Sequence, residues 1–383
     1  VAGQQVRGTG LYLHIPFCRS KCGYCAFNSI AASRAEADNY LDLLAQEINS
    51  YALLPWSTSQ TFSTVFIGGG TPNLASPEKL AETLSLCRSR FTFVDQAEIT
   101  MESNPDSIGQ DSLTIVRQAG INRLSIGVQS FNDTILKSLN RAHSGDKALK
   151  AFAAARKSGF TNINIDLIYG LPGQTLTTWQ KDLEQALSLA PEHLALYELT
   201  IEPDTPFARQ RDKNNLQLPD EDLVADMEEA TVALLSPTYQ RYEISNYARP
   251  GYQCLHNTNY WQNGSYLGLG AGAVSCFDGL RVSNEPAPHR FMDLVCRHQT
   301  TISHVECLSA KGRFRESMIM GLRLLAGINL SELESRLHLS APDVYGTLLA
   351  DLERMELLIR DKNMIRIAPE YLAVANQILS KLV

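Results

Sequence analysis

No stretch of this 383-residue chain approaches the roughly 20 consecutive apolar residues that a membrane-spanning helix requires, so no such span is expected. The first ten residues, VAGQQVRGTG, lack both a basic region and an apolar signal core, and a cytoplasmic location is the expectation. Basic runs are missing too. The 34 Lys and Arg against 41 Asp and Glu leave a net charge of -7, whereas phosphate-tracking surfaces carry a visible excess or stripe of cations. No nucleic-acid partner is expected. There is no internal repeat and no low-complexity tract. The eight cysteines are too few and too irregularly spaced for a disulfide scaffold, and a reducing compartment keeps them as thiols. Cys87, Cys254, Cys276, Cys296 and Cys307 lie far apart and read as small apolar residues. That leaves three cysteines close together.

The order of apolar runs sets the expected fold. GLYLHI precedes a helical stretch over 34–50, STVFI one over 77–89 and AEITME one over 109–118. RLSIGV leads to helical segments between 132 and 158, NINIDLI to one over 175–189, and HLALYELTI is a sixth run. Strands that are apolar almost throughout and separated by helices imply a parallel sheet covered by helices. The expected class is α/β, a partial (β/α)6 barrel over residues 1–205 that stays open where eight units would close. Residues 206–304, with a helix near 219–235 and strands and loops rich in Gly, Asn and aromatics, are expected to close the open side. Residues 305–383 read as helices over 309–326, 330–338 and 341–355, then the hairpin LLIRDKNMIRIA: a winged-helix-like module. Its Glu332, Glu334, Asp343, Asp351, Glu353 and Glu356 favour a cap or protein-contact role over DNA binding.

In HIPFCRSKCGYCAFNS, residues 14–29, Cys18, Cys22 and Cys25 follow the first strand, so one short loop can fold around a single inorganic centre. Structural zinc takes four protein ligands, usually as two separated pairs, and no second pair exists, although His14 could complete a set. A 4Fe-4S cluster also normally takes four cysteines, but with three it keeps one iron open to an exogenous chelator. Three unliganded neighbouring thiols would be an oxidation liability.

This CxxxCxxC spacing after the first strand resembles the radical S-adenosylmethionine (SAM) superfamily. The resemblance implies that the amino and carboxylate groups of SAM chelate the open iron. Reduction, by flavodoxin or ferredoxin where radical chemistry is used, then cleaves SAM to methionine and a 5′-deoxyadenosyl radical. Tyr24 would lie near the adenine; by itself it reads equally as packing.

The ends of the later strands carry small or polar groups. Gly68, Gly69 and Gly70 with Thr71 form GGGTP, which alone is also an ordinary tight turn. Glu102 lies in TMESNP, Gln129 in GVQSF, Arg141 in LNRAHS and Asp166 in NIDLIYGLPGQT; a carboxylate there can take the ammonium or ribose hydroxyls of a ligand, and an arginine its carboxylate. YLHIPFC, IGGGTP, ESNP, SIGVQSF, NRAHS and IDLIYGLPGQT together are similar to the oxygen-independent coproporphyrinogen III oxidase-like group, over nearly the whole chain. The similarity implies SAM contacts at Tyr12, Tyr24, Gly69, Gly70, Thr71, Glu102, Gln129, Arg141 and Asp166. Tyr12 and Gln129 also read as satisfied core polar groups.

Two branches of that group differ legibly. The oxidases carry a further cysteine two residues after the last ligand and a longer amino-terminal extension; here position 27 is Phe27, and about a dozen residues precede the first motif. The HemW-type haem chaperones carry HNxxYW, and this chain has HNTNYW at 256–261. The resemblance implies that His256 is an axial ligand or acceptor for haem iron, with Tyr260 and Trp261 as flat faces for the porphyrin; by itself a histidine in an Asn-rich loop reads as a hydrogen-bonding residue. Val274 stands where that family commonly has histidine. The expected function is to bind haem and pass it to an acceptor protein, which can be soluble or membrane-bound; a further reading makes the carboxy-terminal domain a module that docks that acceptor. The alternative is a radical SAM oxidoreductase acting on a tetrapyrrole.

Overall fold

A computed structural model describes residues 8–236 and 238–383. Six strands lie parallel and in chain order: β1 (Thr9–Ile15), β2 (Thr61–Gly69), β3 (Thr92–Ser103), β4 (Arg123–Gln129), β5 (Ile163–Tyr169) and β6 (His193–Glu198). Between them run α1 (Arg34–Tyr51), α2 (Pro77–Arg90), α3 (Gln110–Gln118), α4 (Gly145–Lys157) and α5 (Leu176–Ser188). Side-chain oxygens cap several of these helices where the sequence supplies them. Ser33 and Glu36 form a reciprocal capping box on α1, Ser144 caps α4, and Thr175 caps α5.

The strands are not apolar throughout. Ile99, Met101, Leu124, Ile126, Ile163, Ile165 and Leu194 are buried in the main core. The alternate residues, Glu98, Thr100, Glu102, Arg123, Ser125, Asn164, Asp166 and His193, are polar and occupy the opposite face, because successive strand side chains point to opposite sides. The register aligns this second set: Thr100 faces Arg123, Glu102 faces Ser125, Ser125 faces Asn164, and Gly127 faces Asp166. The barrel interior is therefore a polar chamber, unlike the packed apolar layers of a closed eight-stranded barrel.

Residues 206–304 widen the sheet instead of pairing its two ends. After α6 (Glu221–Leu235), β7 (Asn246–Ala248) adds antiparallel to β6. At the other edge β8 (Tyr266–Leu269) adds parallel to β1 and leads into β9 (Val274–Phe277), β10 (Leu280–Asn284) and β11 (Ile302–Cys307), all antiparallel. The HNTNYW segment, expected as a loop, is the short helix α7 (Leu255–Trp261).

Two buried polar groups on α1 fasten this extension to the barrel. Glu47 accepts hydrogen bonds from Gly270 N (2.7 Å), Asn284 Nδ2 (2.8 Å) and Thr301 Oγ1 (3.1 Å). The Tyr40 hydroxyl donates to His14 O (2.9 Å) and accepts from Ala271 N (2.8 Å), bridging the β1–β8 seam.

The carboxy-terminal part has its own apolar core, including Phe314, Met318, Leu333, Leu352, Leu358 and Ile365. It contains α8 (Ala310–Gly321), α9 (Leu330–Leu337), α10 (Ala341–Tyr345) and α11 (Leu348–Arg354), then the hairpin β12 (Leu358–Asp361) and β13 (Met364–Ile367). The helix expected over 341–355 is broken because Gly346 takes a φ of 57°, a left-handed turn that ends α10. Among the described residues no helix is long and apolar enough to cross a membrane.

Burial pushes the Glu47 carboxyl up to about 7 from its ordinary 4.5. The folded state then holds a proton that the unfolded chain releases, so this group's contribution to stability is lost as pH rises from about 4.5 through 7. Glu47→Gln removes the titration. Across pH 5 to 8, urea midpoints of the wild type should fall relative to those of E47Q, by an amount equivalent to roughly 1–3 kcal/mol. Parallel profiles for the two proteins would contradict the assignment.

Candidate iron-sulfur and ligand site

The cysteine loop leaves the end of β1 and is pinned at both ends. Phe17–Cys18 pairs in parallel with Ile30–Ala31, and Ile30 N donates to Pro16 O (2.9 Å). His14 packs its ring beneath the loop, with Nε2 2.8 Å from Asn28 O and Nδ1 2.9 Å from the Tyr12 hydroxyl. Asn28 Nδ2 donates to Ala271 O (3.1 Å) and Pro286 O (2.8 Å), and Lys21 Nζ to the carbonyls of Phe27 and Ser29 (both 3.1 Å). The third cysteine sits in a turn closed by Cys25 N donating to Cys22 O (3.3 Å). Gly23 packs so tightly that an added Cβ would meet the Phe207 ring at 2.7 Å. All three cysteines are half-buried and free.

Two sulfurs receive hydrogen bonds from the rim. Thr71 Oγ1 donates to Cys18 Sγ (3.4 Å), and Arg141 Nη1 to Cys22 Sγ (3.4 Å). Asn104 joins the two donors: its Nδ2 donates to Thr71 Oγ1 (2.7 Å), while its Oδ1 accepts from Arg141 Nη2 (2.8 Å). Asn73 Oδ1 in turn accepts from Asn104 N (3.2 Å), and Arg141 Nη2 also donates to Gly127 O. Donors aimed at sulfur suit thiolates that carry negative charge within a cluster. Among the described residues no three His, Cys, Asp or Glu side chains converge on one metal-ion position.

The three glycines after β2 answer to protein neighbours. A Cβ at Gly68 would lie 2.8 Å from Glu102 Oε2, one at Gly69 2.7 Å from His14 Cε1, and one at Gly70 2.6 Å from Phe17 O. Only residues without a side chain let the cysteine loop, His14 and Glu102 meet here. Glu102 accepts from Gly69 N (3.0 Å), and burial, then the nearby Asp166, push its carboxyl up to about 7. Burial likewise raises Asp166 to about 6, against hydrogen bonds from Asn164 Nδ2 (2.6 Å) and Ser125 Oγ (3.3 Å). Gln129 ends β4 with a left-handed φ of 67° after a one-residue bulge. Tyr24 is tilted against Phe207 at a centroid distance of 6.4 Å.

His256, Tyr260 and Trp261 lie apart from this rim. Helix α7 crosses the chamber where the strands begin, and a Cβ at Gly10 would meet His256 Cε1 at 3.1 Å. His256 is buried, with Nδ1 2.8 Å from Thr64 Oγ1 and Nε2 3.0 Å from the Tyr260 hydroxyl. Burial, then Arg123, hold its imidazole neutral, down at about 3. Glu98 anchors the helix by accepting from Leu255 N (3.0 Å) and His256 N (3.1 Å). Trp261 packs under the Arg323 guanidinium, 4.7 Å from its centroid. Sequence reading missed Asn104, Asn28, Glu98 and Arg123. All four stood inside quoted stretches, Asn28 in HIPFCRSKCGYCAFNS, Glu98 in AEITME, Asn104 in ESNP and Arg123 in RLSIGV, without being singled out.

Residues 12–186 match the family model of the radical SAM superfamily, and residues 308–370 that of the HemN C-terminal domain. The heme chaperone HemW of Lactococcus lactis is 33% identical over 97% of this chain and 96% of its own length. The chain belongs to the HemW family of radical SAM proteins. The heme chaperone HemW of Escherichia coli is 42% identical over 74% of this chain and 75% of its own. The solved structure of coproporphyrinogen III oxidase (HemN) from Escherichia coli, described as a radical SAM enzyme, superposes with a TM-score of 0.86 at 28% identity, covering 100% of this chain and 91% of that one. The cofactors of this family are a 4Fe-4S cluster and SAM, and the three-cysteine loop with its sulfur-directed donors fits them.

Because, among the described residues, Asn104 alone joins the Thr71 and Arg141 side chains, Asn104→Ala should weaken SAM binding about tenfold while iron and sulfide content stay at wild-type levels. Anaerobic titration of the cluster's absorption with SAM measures the first, and chemical analysis the second. Unchanged SAM affinity would show the relay to be ornamental.

Proposed function

We propose that this protein is a haem chaperone: it holds a 4Fe-4S cluster on Cys18, Cys22 and Cys25, binds SAM along the strand-end rim, and carries haem to an acceptor haem protein. The observation that carries the reading is the closed loop of three half-buried cysteines over a polar chamber, in a chain 33% identical to a heme chaperone over 97% of its length. When bound, the cluster supplies an open iron for the SAM amino and carboxylate groups, and a single electron.

The chain's own residues bind and orient. Glu102 and Asp166 face the ammonium and ribose of SAM. Tyr12, Tyr24, Gly69, Gly70, Thr71 and Gln129 wall it in, and Arg141, held by Asn104, sits over the cysteines. HNTNYW is the chamber floor, so iron ligation by His256 requires Thr64 or Tyr260 to give up its bond. Haem loading at His256, with Tyr260 and Trp261 as porphyrin faces, is thereby coupled to movement of α7. Residues 1–205 act as the SAM unit, 206–304 as its sheet extensions and floor, and 305–383 as the face offered to the acceptor, in the cytoplasm.

One observation keeps a radical enzyme acting on a tetrapyrrole as the second reading, with flavodoxin or ferredoxin as electron donor: the superposition on coproporphyrinogen III oxidase covers the whole chain. Titrating the cluster-loaded protein with haem should give a saturable Soret change, and anaerobic incubation with SAM and reductant should give no 5′-deoxyadenosine that depends on coproporphyrinogen. Absence of saturable haem binding sinks the chaperone reading. Substrate-dependent 5′-deoxyadenosine installs the enzyme in its place.

A further inference from the structure

Arg123 is the first residue of β4, directly opposite Thr100 of β3 and two residues below Ser125, whose hydroxyl donates to Asp166. That puts it one layer beneath the rim, roughly 6–7 Å along the strand, and above the floor made by α7. Arg123 is 2% exposed and Thr100 0%. Neither Arg123 Nε nor Thr100 Oγ1 has a hydrogen-bond partner among the described residues.

Among the described residues the neighbouring carboxylates favour the Arg123 charge without a hydrogen bond to its guanidinium. Glu98 accepts from the backbone of Leu255 and His256, Asp166 from Asn164 and Ser125, and Glu102 from Gly69. Burial also leaves Glu102 at about 7 and Asp166 at about 6, which lowers the negative charge of the chamber near neutral pH. Burial opposes the Arg123 charge and the nearby Cys254, Glu98, Tyr242 and Asp166 offset it, but a buried Nε left without an acceptor still costs free energy, so packing alone gives no reason for arginine here. A planar fork of N–H donors has one preferred complement, a carboxylate taken in bidentate fashion, and a hydroxyl beside it supplies a further donor.

We propose that Arg123, with Thr100 beside it, forms a carboxylate subsite inside the barrel that receives a propionate of the tetrapyrrole ligand. The inference rests on the haem reading above and deepens it: the macrocycle is fixed by one propionate arm reaching between the SAM rim and the α7 floor. A ligand without free carboxylates loses this contact.

The probes are haemin and its dimethyl ester, which have the same iron macrocycle with and without free propionates. Soret titrations of the cluster-loaded wild type should show haemin bound at least tenfold more tightly than the ester, the worth of about one charge-assisted hydrogen bond. Arg123→Gln should bring haemin down to the ester's affinity and leave the ester's own within about a factor of three. Arg123→Lys keeps the charge beside Glu102 and Asp166 but loses the fork, and should retain part of the preference. Equal binding of both compounds by the wild type, or a preference that survives in R123Q, overturns the subsite while haem binding stands. Loss of ester binding in R123Q and R123K marks Arg123 as structural support and also overturns it. If neither compound binds the wild type, the haem reading itself falls, and the subsite with it.

Discussion

A buried ion costs several kcal/mol unless its surroundings supply hydrogen bonds or an opposite charge, and this barrel buries Glu98 and Arg123 and half-buries Glu102 and Asp166 on one face of three adjacent strands. The fold tolerates this because the two faces of each strand do different work. Ile99, Met101, Leu124, Ile126, Ile163 and Ile165 lie in one continuous apolar core, which supplies the hydrophobic stabilisation. The inner face is left free to be polar, and Asn164, Ser125 and the Gly69 amide satisfy much of it. A chamber built this way suits a charged nucleotide ligand and would be a poor place to store hydrocarbon.

Placement of the cysteine loop follows from the same economy of contacts. Three consecutive glycines bring the end of β2 against the loop, His14 and Glu102 at once. Asn104 then couples the donor on Cys18 to the donor on Cys22 through two short hydrogen bonds. Any shift of β3 relative to β2 would strain the Asn104–Thr71 bond. Rim and cluster loop thus behave as one rigid assembly, and the extension fastened by Glu47 and Tyr40 closes its back, where Asn28 is tied to Ala271 and Pro286.

The alternation of runs was legible because β-branched strands and amphipathic helices differ in period: α1, α2, α3 and α5 fall within a residue or two of their expected bounds, and α4 lies inside the 132–158 stretch expected to be helical. The cysteine spacing was legible because metal chemistry fixes it locally. Less visible was the polarity of the strands' inner face, since alternation is hard to see where the outer residues are all Ile, Leu and Met. The helix in HNTNYW was hidden for a different reason: its Asn and Thr residues favour loops, and tertiary contacts from Glu98 and Thr64 override that preference. The break at Gly346 depends on a left-handed φ that helical periodicity does not report. Arg123 gave no signal at all, because a strand-initial arginine ordinarily reaches solvent.

The two ends of the chamber impose opposite demands. At the rim, the cysteine loop must stay open at one iron and rigid elsewhere, which the relay through Asn104 achieves. At the floor, His256 is held by Thr64 and Tyr260 and kept neutral by burial, so it is chemically ready to ligate a metal yet sterically committed to the protein. A carrier must release its cargo, and a ligand that displaces one of these two hydrogen bonds to bind is also one that the re-forming bond can help to expel. On the proposed reading, competition between the protein's own contacts and the iron for the His256 imidazole would give a physical route to reversible haem binding that a free surface histidine would lack.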